Sequence, residues 1–313
     1  MKQRYPASLS MTLAAFLVFG TSAGVALEST SASDVIDKSH KAMEELESFS
    51  TTVKMEQTVA DNIGDEGTLH SSSTVEQDVT LNPFAMYQKS TTATTYDDGE
   101  EEYITLESYW MEDEVYQQEP DGTWVKMVND DFGMLLEGLI EHPSYHLEDM
   151  EAFADEMIVT EEDGYYVLTY EGDGETFIEL TNDLYATMDE EDEEGMGEIW
   201  DEIVINSLVY EMRIDKETYF LTSVIMDLDM DLEEGEDNFN IIQTVNSEFY
   251  NFNEVGTITV PDEVKDNATD MEEQYEGDEM ADTATNYPIG LLAGLSLAGL
   301  GGAFIFARRK VIV

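Results

Sequence analysis

In the stretch SVIMDLDMDLE, Val224, Met226, Leu228, Met230 and Leu232 are apolar, while Asp227, Asp229, Asp231 and Glu233 fill the positions between them. Successive side chains of a strand point to opposite faces. This alternation therefore demands a strand with one apolar and one charged face, and a 3.6-residue helical period would scatter the same residues around the axis. One such strand cannot bury its apolar face alone, so it predicts neighbours with the same pattern. LVYEMRID supplies one, with Leu208, Tyr210, Met212 and Ile214 set against Glu211, Arg213 and Asp215. FNIIQTVNSEF supplies another, with Phe239, Ile241, Val245 and Phe249 on one side. Together they predict a late antiparallel meander turning at Glu234-Gly235-Glu236.

Earlier in the chain, STTVKMEQTVA, TVEQDVTLNPFAMYQKSTTATT, EYITLESYW, EVYQQ and TWVKM are short runs rich in Thr, Val and Tyr. Asp-Gly, Asn-Pro and Pro-Asp-Gly turns separate them, which extends the antiparallel sheet. Helical spacing is confined to a few places. SDVIDKSHKAMEELESF places Val35, Ile36, Ala42, Met43 and Leu46 on one face, with Ser33 as the expected cap. DDFGMLLEGLIEH, HLEDMEAFADEM and GETFIELTNDLYATM are further expected helices, and DEEDEEGMGE is an expected exposed loop. The resulting expectation is an α+β fold: an open antiparallel half-barrel sheet with helices covering the concave face.

The two ends of the chain have a different composition. Lys2 and Arg4 precede the apolar run MTLAAFLVFG and small residues ending at Ala26, the layout of a secretory signal peptide over residues 1–26. Asn286 to Ala307 is uncharged over 22 residues and is followed by Arg308, Arg309 and Lys310. That length suits a membrane-spanning helix, with residues 308–313 as a basic cytoplasmic tail. Residues 269–285 are acidic and poor in large aliphatics, as expected of a stalk. The part between would face outward, anchored at the extracellular side of the cell membrane or to the cell wall.

That exported part holds eight Lys and Arg against all 71 Asp and Glu, a net charge of −63. Such a field repels nucleic acid and anionic surfaces. It also repels itself, and near 1 M salt the Debye length falls to about 3 Å, so the composition suits a halophilic or alkaline setting. The chain has no cysteine, so neither disulfides nor a lipid-bearing N-terminal cysteine enter the account.

KAMEELESFS, NPFAMYQKS, VYQQEPDGTWVKM, IDKETYFLTSVIMDLDMDL and VPDEVKDNA resemble uncharacterised Gram-positive surface lipoproteins grouped with the LolA/LppX half-barrel superfamily. The resemblance runs from about Ser33 to Ala268 and makes residues 27–268 a single ectodomain. It implies an unclosed antiparallel barrel with a helical lid, and a cavity that in the better-known members holds acyl chains. The chain departs from those relatives in lacking their N-terminal cysteine, with a C-terminal anchor in its place. MADTATN, from Met280 to Asn286, resembles the LPDTA form of a sortase signal, keeping Asp282, Thr283 and Ala284 but carrying Met280 for Leu and Ala281 for Pro. Two expectations stay open: cleavage after Thr283 and attachment to the wall by sortase, or retention by the membrane helix.

No stretch carries a catalytic motif. His142 and His146 have the spacing of a helical metal pair, but Pro143 between them argues for a turn. DLDMDLEEGED has Leu232 where a calcium loop needs Gly, and strand alternation explains its aspartates. The expectation is a non-enzymatic binding protein without metal or cofactor. Its ligand would be a lipid, an acyl chain or another hydrophobic molecule, lined by Leu208, Tyr210, Met212, Val224, Met226 and Leu228, with Leu135 and Leu139 in the lid. The alternative from another class is a surface sensor or protein-interaction scaffold whose cavity is filled by its own side chains.

Overall fold

The structure is a computed structural model that describes residues 30–61, 68–96, 99–128, 147, 150–172, 174, 203–234 and 237–270. Helix α1 spans Ala32–Glu44. Its cap is Ser31, two residues before the expected Ser33, and the Ser31 hydroxyl accepts from the Asp34 N–H at 3.1 Å. Val35, Ile36 and Met43 are buried, as their spacing predicts, and Leu46 is buried just beyond the helix end.

Among the described residues twelve strands follow in one sheet. They are β1 (Ser48–Asp61), β2 (Thr68–Leu81), β3 (Phe84–Thr95), β4 (Glu101–Met111), β5 (Glu114–Gln118), β6 (Trp124–Val128), β7 (Ile158–Glu162), β8 (Tyr165–Gly172), β9 (Ile203–Asp215), β10 (Leu221–Glu234), β11 (Asp237–Tyr250) and β12 (Ala268–Asp270). Their order is β12-β6-β5-β4-β3-β2-β1-β11-β10-β9-β8-β7. Two antiparallel meanders, β1 to β6 and β7 to β11, are thus joined by their longest members. β1 and β11 pair over twelve residues, from Ser50 opposite Tyr250 to Asp61 opposite Phe239.

This architecture overturns the α+β expectation. Among the described residues 64 % are strand and 13 % helix, and the class is mainly β. No helical layer covers the sheet in this part of the chain. α1, Leu147 and the segment 150–157 join the main core cluster, and the other described helix, α2 (Asp262–Asn267), has six residues. The expected helix HLEDMEAFADEM is α-helical at its described residues Leu147 and Met150 and passes into a 3₁₀ turn at Glu151–Phe153 that buries Phe153. The expected helices over 130–142 and 174–188 lie outside the described residues except for Gly174, as do Leu135, Leu139, the turn residues Gly235 and Glu236, the loop 189–198, the two chain ends and the sorting-signal residues Asp282, Thr283 and Ala284. Among the described residues no helix is long and apolar enough to cross a membrane.

Two features were not anticipated. The hairpin β7–β8 turns at Asp163-Gly164, where Gly164 has φ +86°, a left-handed conformation that costs glycine little. β12 runs parallel to β6, after α2 has placed Val264 beside Val260 and Tyr116 in a small cluster.

The β9–β10 turn is held by one carboxylate. Asp215 Oδ1 accepts from the N–H of Glu217 at 2.9 Å, the N–H of Thr218 at 2.8 Å and the Thr218 hydroxyl at 2.9 Å. Burial pushes the Asp215 carboxyl up, but the bonds from Thr218 and Glu217 outweigh it and hold it below its ordinary value. A depressed carboxylate stabilises the fold above its unfolded-state pKa, about 3.9, and loses that contribution as pH falls through the lower folded-state value. Asp215→Ala is expected to cost about 1 kcal/mol at pH 7 in urea unfolding, with the difference from wild type shrinking below about pH 4.

Candidate functional site

The alternation of β9, β10 and β11 sorts their side chains onto two faces. On the acidic face, Asp227, Asp229 and Asp231 meet donors from the neighbouring strands. Thr244 Oγ1 donates to Asp227 at 2.7 Å. Asn240 Nδ2 reaches Asp229 at 2.9 Å and Asp231 at 3.0 Å. Asn206 Nδ2 reaches the same two carboxylates at 3.2 and 3.1 Å. Asn206 is the extra residue where Ser207 pairs with Asp229 and Ile205 with Met230, so this bulge aims an amide at two aspartates. Hydrogen bonding within the sheet therefore accounts for the aspartates of DLDMDLE.

On the opposite face, which bears α1, the six residues singled out from sequence meet as three direct cross-strand pairs: Leu208 with Leu228, Tyr210 with Met226, and Met212 with Val224. Val245 of β11 extends the middle pair as the partner of Met226. Leu208, Met212 and Leu228 are 1, 1 and 2 % exposed, whereas Tyr210, Val224 and Met226 are half-buried. The patch is thus packed at some positions and open at others.

α1 is clasped to this face by a stack of rings and cations. Lys38 lies 5.2 Å from the Tyr219 ring centroid, Tyr219 stacks on Tyr166 at 6.0 Å, and Lys216 lies 5.2 Å from the Tyr166 ring. The hydrogen bond with Tyr219, aided by burial, holds the Tyr166 phenol above its ordinary value. Tyr219 has φ +60°, an uncommon conformation for a bulky residue that the ring stack helps to hold.

Sequence reasoning did not find that the same face changes character toward β5. A second apolar cluster, Phe49, Val79, Met86, Trp110, Val115 and Met127, crosses β1 to β6. Beside it runs a polar row in register: Thr51 pairs with Gln77, Gln77 with Gln88, Gln88 with Ser108, and Ser108 with Gln117. All but half-buried Gln77 are buried. The signal was present in the sequence as Gln and Ser at alternating positions, but which of them share a row depends on register, which only strand pairing sets.

Comparison with known proteins places the chain in a family without assigning it a function. Residues 31–269 match the family of unknown function DUF6612, and the chain belongs to that family. No curated protein sequence matches it. Among solved structures it is similar to one describing lipid–protein interactions in lipovitellin, at 9 % identity and TM-score 0.33, covering 68 % of this chain and 26 % of that one. It is also similar to a LolA superfamily protein from Nitrosomonas europaea, at 8 % identity and TM-score 0.21, covering 75 % and 97 %. A β-barrel-like protein of a domain of unknown function from Brucella abortus has 11 % identity and TM-score 0.24, covering 66 % and 99 %. The chain spans about a quarter of the lipovitellin chain and nearly the whole of the other two. Similarities this distant carry no conclusion about function.

Proposed function

We propose that the protein is a non-enzymatic binding protein that holds a lipid or other hydrophobic ligand on the α1-bearing face of the sheet. The observation that carries this reading is the β9–β10 patch, where Tyr210, Val224 and Met226 remain half-buried beside fully buried Leu208, Met212 and Leu228. The three half-buried side chains pack against the main core cluster and keep part of their apolar surface uncovered, which offers a hydrophobic ligand a contact surface.

The reading is tested by uptake of the uncharged apolar dye N-phenyl-1-naphthylamine and by native mass spectrometry of the purified protein. Dye uptake and a co-purifying lipid mass support it. A second reading, a surface sensor or interaction scaffold, is favoured by the near-complete burial of Leu208, Met212 and Leu228, and takes over if no dye is taken up and crosslinking recovers a protein partner.

The proposed setting is the extracellular face, with attachment through residues 280–310. If Thr283 is joined to the wall by sortase, muramidase is expected to release the protein and detergent is not. Release by detergent alone, with Arg308 still present by mass, makes the apolar run 286–307 a permanent anchor.

A further inference from the structure

The polar row across β1 to β5 is an unusual thing to build into the face that a hydrophobic ligand would use. Thr51, Gln88, Ser108 and Gln117 are buried, yet the row has an apolar row along one side and apolar residues over β1 and β2 along the other, where Ser90 of β3 continues the line. On one side run Phe49, Val79, Met86, Trp110 and Val115, and on the other Val53 and Val75. Only part of its bonding capacity is used internally: Gln77 Nε2 donates to Gln88 Oε1 at 2.7 Å and Trp110 Nε1 to Ser108 Oγ at 2.9 Å. Thr51 is 4 % exposed and its Oγ1 has no hydrogen-bond partner among the described residues, and Gln57 Nε2, on the same face of β1, has none among them either. A buried hydroxyl or amide left unpaired costs about 1–3 kcal/mol, so native proteins rarely keep one without a use. A cavity of about 10 Å³ opens on the row, lined by Gln88, Ser108 and Gln117 of the row together with Ser90, Leu106, Glu107 and Trp110, roughly the room one water or one hydroxyl group needs.

We propose that this row is the head-group site for the ligand of the apolar face, and that the ligand is an amphiphile whose head group is uncharged and carries hydroxyl or amide groups. The proposal rests on the hydrophobic-ligand reading given above. Ser, Thr and Gln each offer a donor and an acceptor, which matches hydroxyls and amides. No member of the row is a cation to pair with an anionic head group or a carboxylate to pair with a cationic one, and burying an unpaired charge there is costly. The chain's net −58 charge disfavours anions further. The row is continuous with the apolar patch. Thr51 pairs with Phe249, which packs against both apolar clusters, and two residues along β11 Ser247 pairs with Val224. Five strands at about 4.8 Å spacing make the row roughly 19 Å long.

The test uses the full-length protein in amphipol at 1 M NaCl, where long-range repulsion is screened, and measures displacement of bound N-phenyl-1-naphthylamine by two ligands with the same acyl chain. The hydroxyl-bearing 1-oleoylglycerol is expected to displace the dye at about tenfold lower concentration than oleate. Thr51→Val keeps shape and breaks no internal hydrogen bond, and Gln117→Met keeps approximate volume. Each is expected to bring the two ligands within about threefold of one another while dye binding stays at the wild-type level. Equal displacement by the two ligands in wild type, or an unchanged ratio in both variants, overturns the head-group site and leaves the apolar site standing. Failure of wild type to bind the dye overturns both.

Discussion

Raising NaCl from 0.1 M to 1 M is expected to lift the thermal midpoint of the protein by roughly 10 °C, equivalent to about 3 kcal/mol or more for a domain of this size. The cause is local as well as global. Asp227, Asp229 and Asp231 lie on one face of β10 at two-residue intervals, about 7 Å apart, and their neutral partners Asn206, Asn240 and Thr244 supply hydrogen bonds without opposing charge. The ion pairs described, Lys41–Asp37, Lys126–Glu114, Arg213–Glu162 and Lys216–Glu161, engage few of the 71 acidic groups. Shortening the Debye length from about 10 Å to about 3 Å removes most repulsion between carboxylates at this spacing. Loss of the ion pairs acts the other way but is smaller, since exposed pairs contribute only about 0–1 kcal/mol each. Circular-dichroism melts across a NaCl series measure the effect. A midpoint that stays flat or falls would show that repulsion is not what limits stability.

A pair of substitutions two residues apart on β10 is expected to separate binding from folding. Met226→Glu is expected to abolish dye uptake while the protein still unfolds cooperatively, with a loss of about 1–2 kcal/mol, because a half-buried position lets the carboxylate reach water. Leu228→Glu is expected to prevent folding or to remove most of the stability. Leu228 is 2 % exposed between Leu208 and Gln243, and an unpaired buried carboxylate costs several kcal/mol out of a total of about 5–15 kcal/mol. Melts and dye titrations on both variants decide the matter. Should Met226→Glu unfold the protein as fully as Leu228→Glu, the face is packed core and the scaffold reading replaces ligand binding.

The part of the fold that rests on local alternation was readable before any coordinates. Period-2 patterning in LVYEMRID, SVIMDLDMDLE and FNIIQTVNSEF fixes which side chains of β9, β10 and β11 share a face, because strand geometry permits no other assignment. The grouping of Leu208, Tyr210, Met212, Val224, Met226 and Leu228 follows from that alone. α1 was equally readable, apart from the cap at Ser31. The α+β assignment failed for a physical reason. Most of the described chain goes into one long antiparallel sheet, and around Phe153 the helical residues Leu147 and Met150 pass into a 3₁₀ turn that buries Phe153 beside Tyr170, a short element set against twelve strands.

Pairing decided the rest. That β1 lies against β11 rather than at an edge, that Asn206 bulges toward two aspartates, and that Thr51, Gln77, Gln88, Ser108 and Gln117 line up across five strands are all consequences of register. A one-residue slip would move every one of these side chains to the other face. The sequence by itself determined a strongly acidic chain built from two-faced strands and one amphipathic helix. Only the tertiary structure decided which strands meet, and so where apolar and polar rows fall on the face that α1 partly covers, because contacts between residues some 200 positions apart leave no periodic mark in the chain.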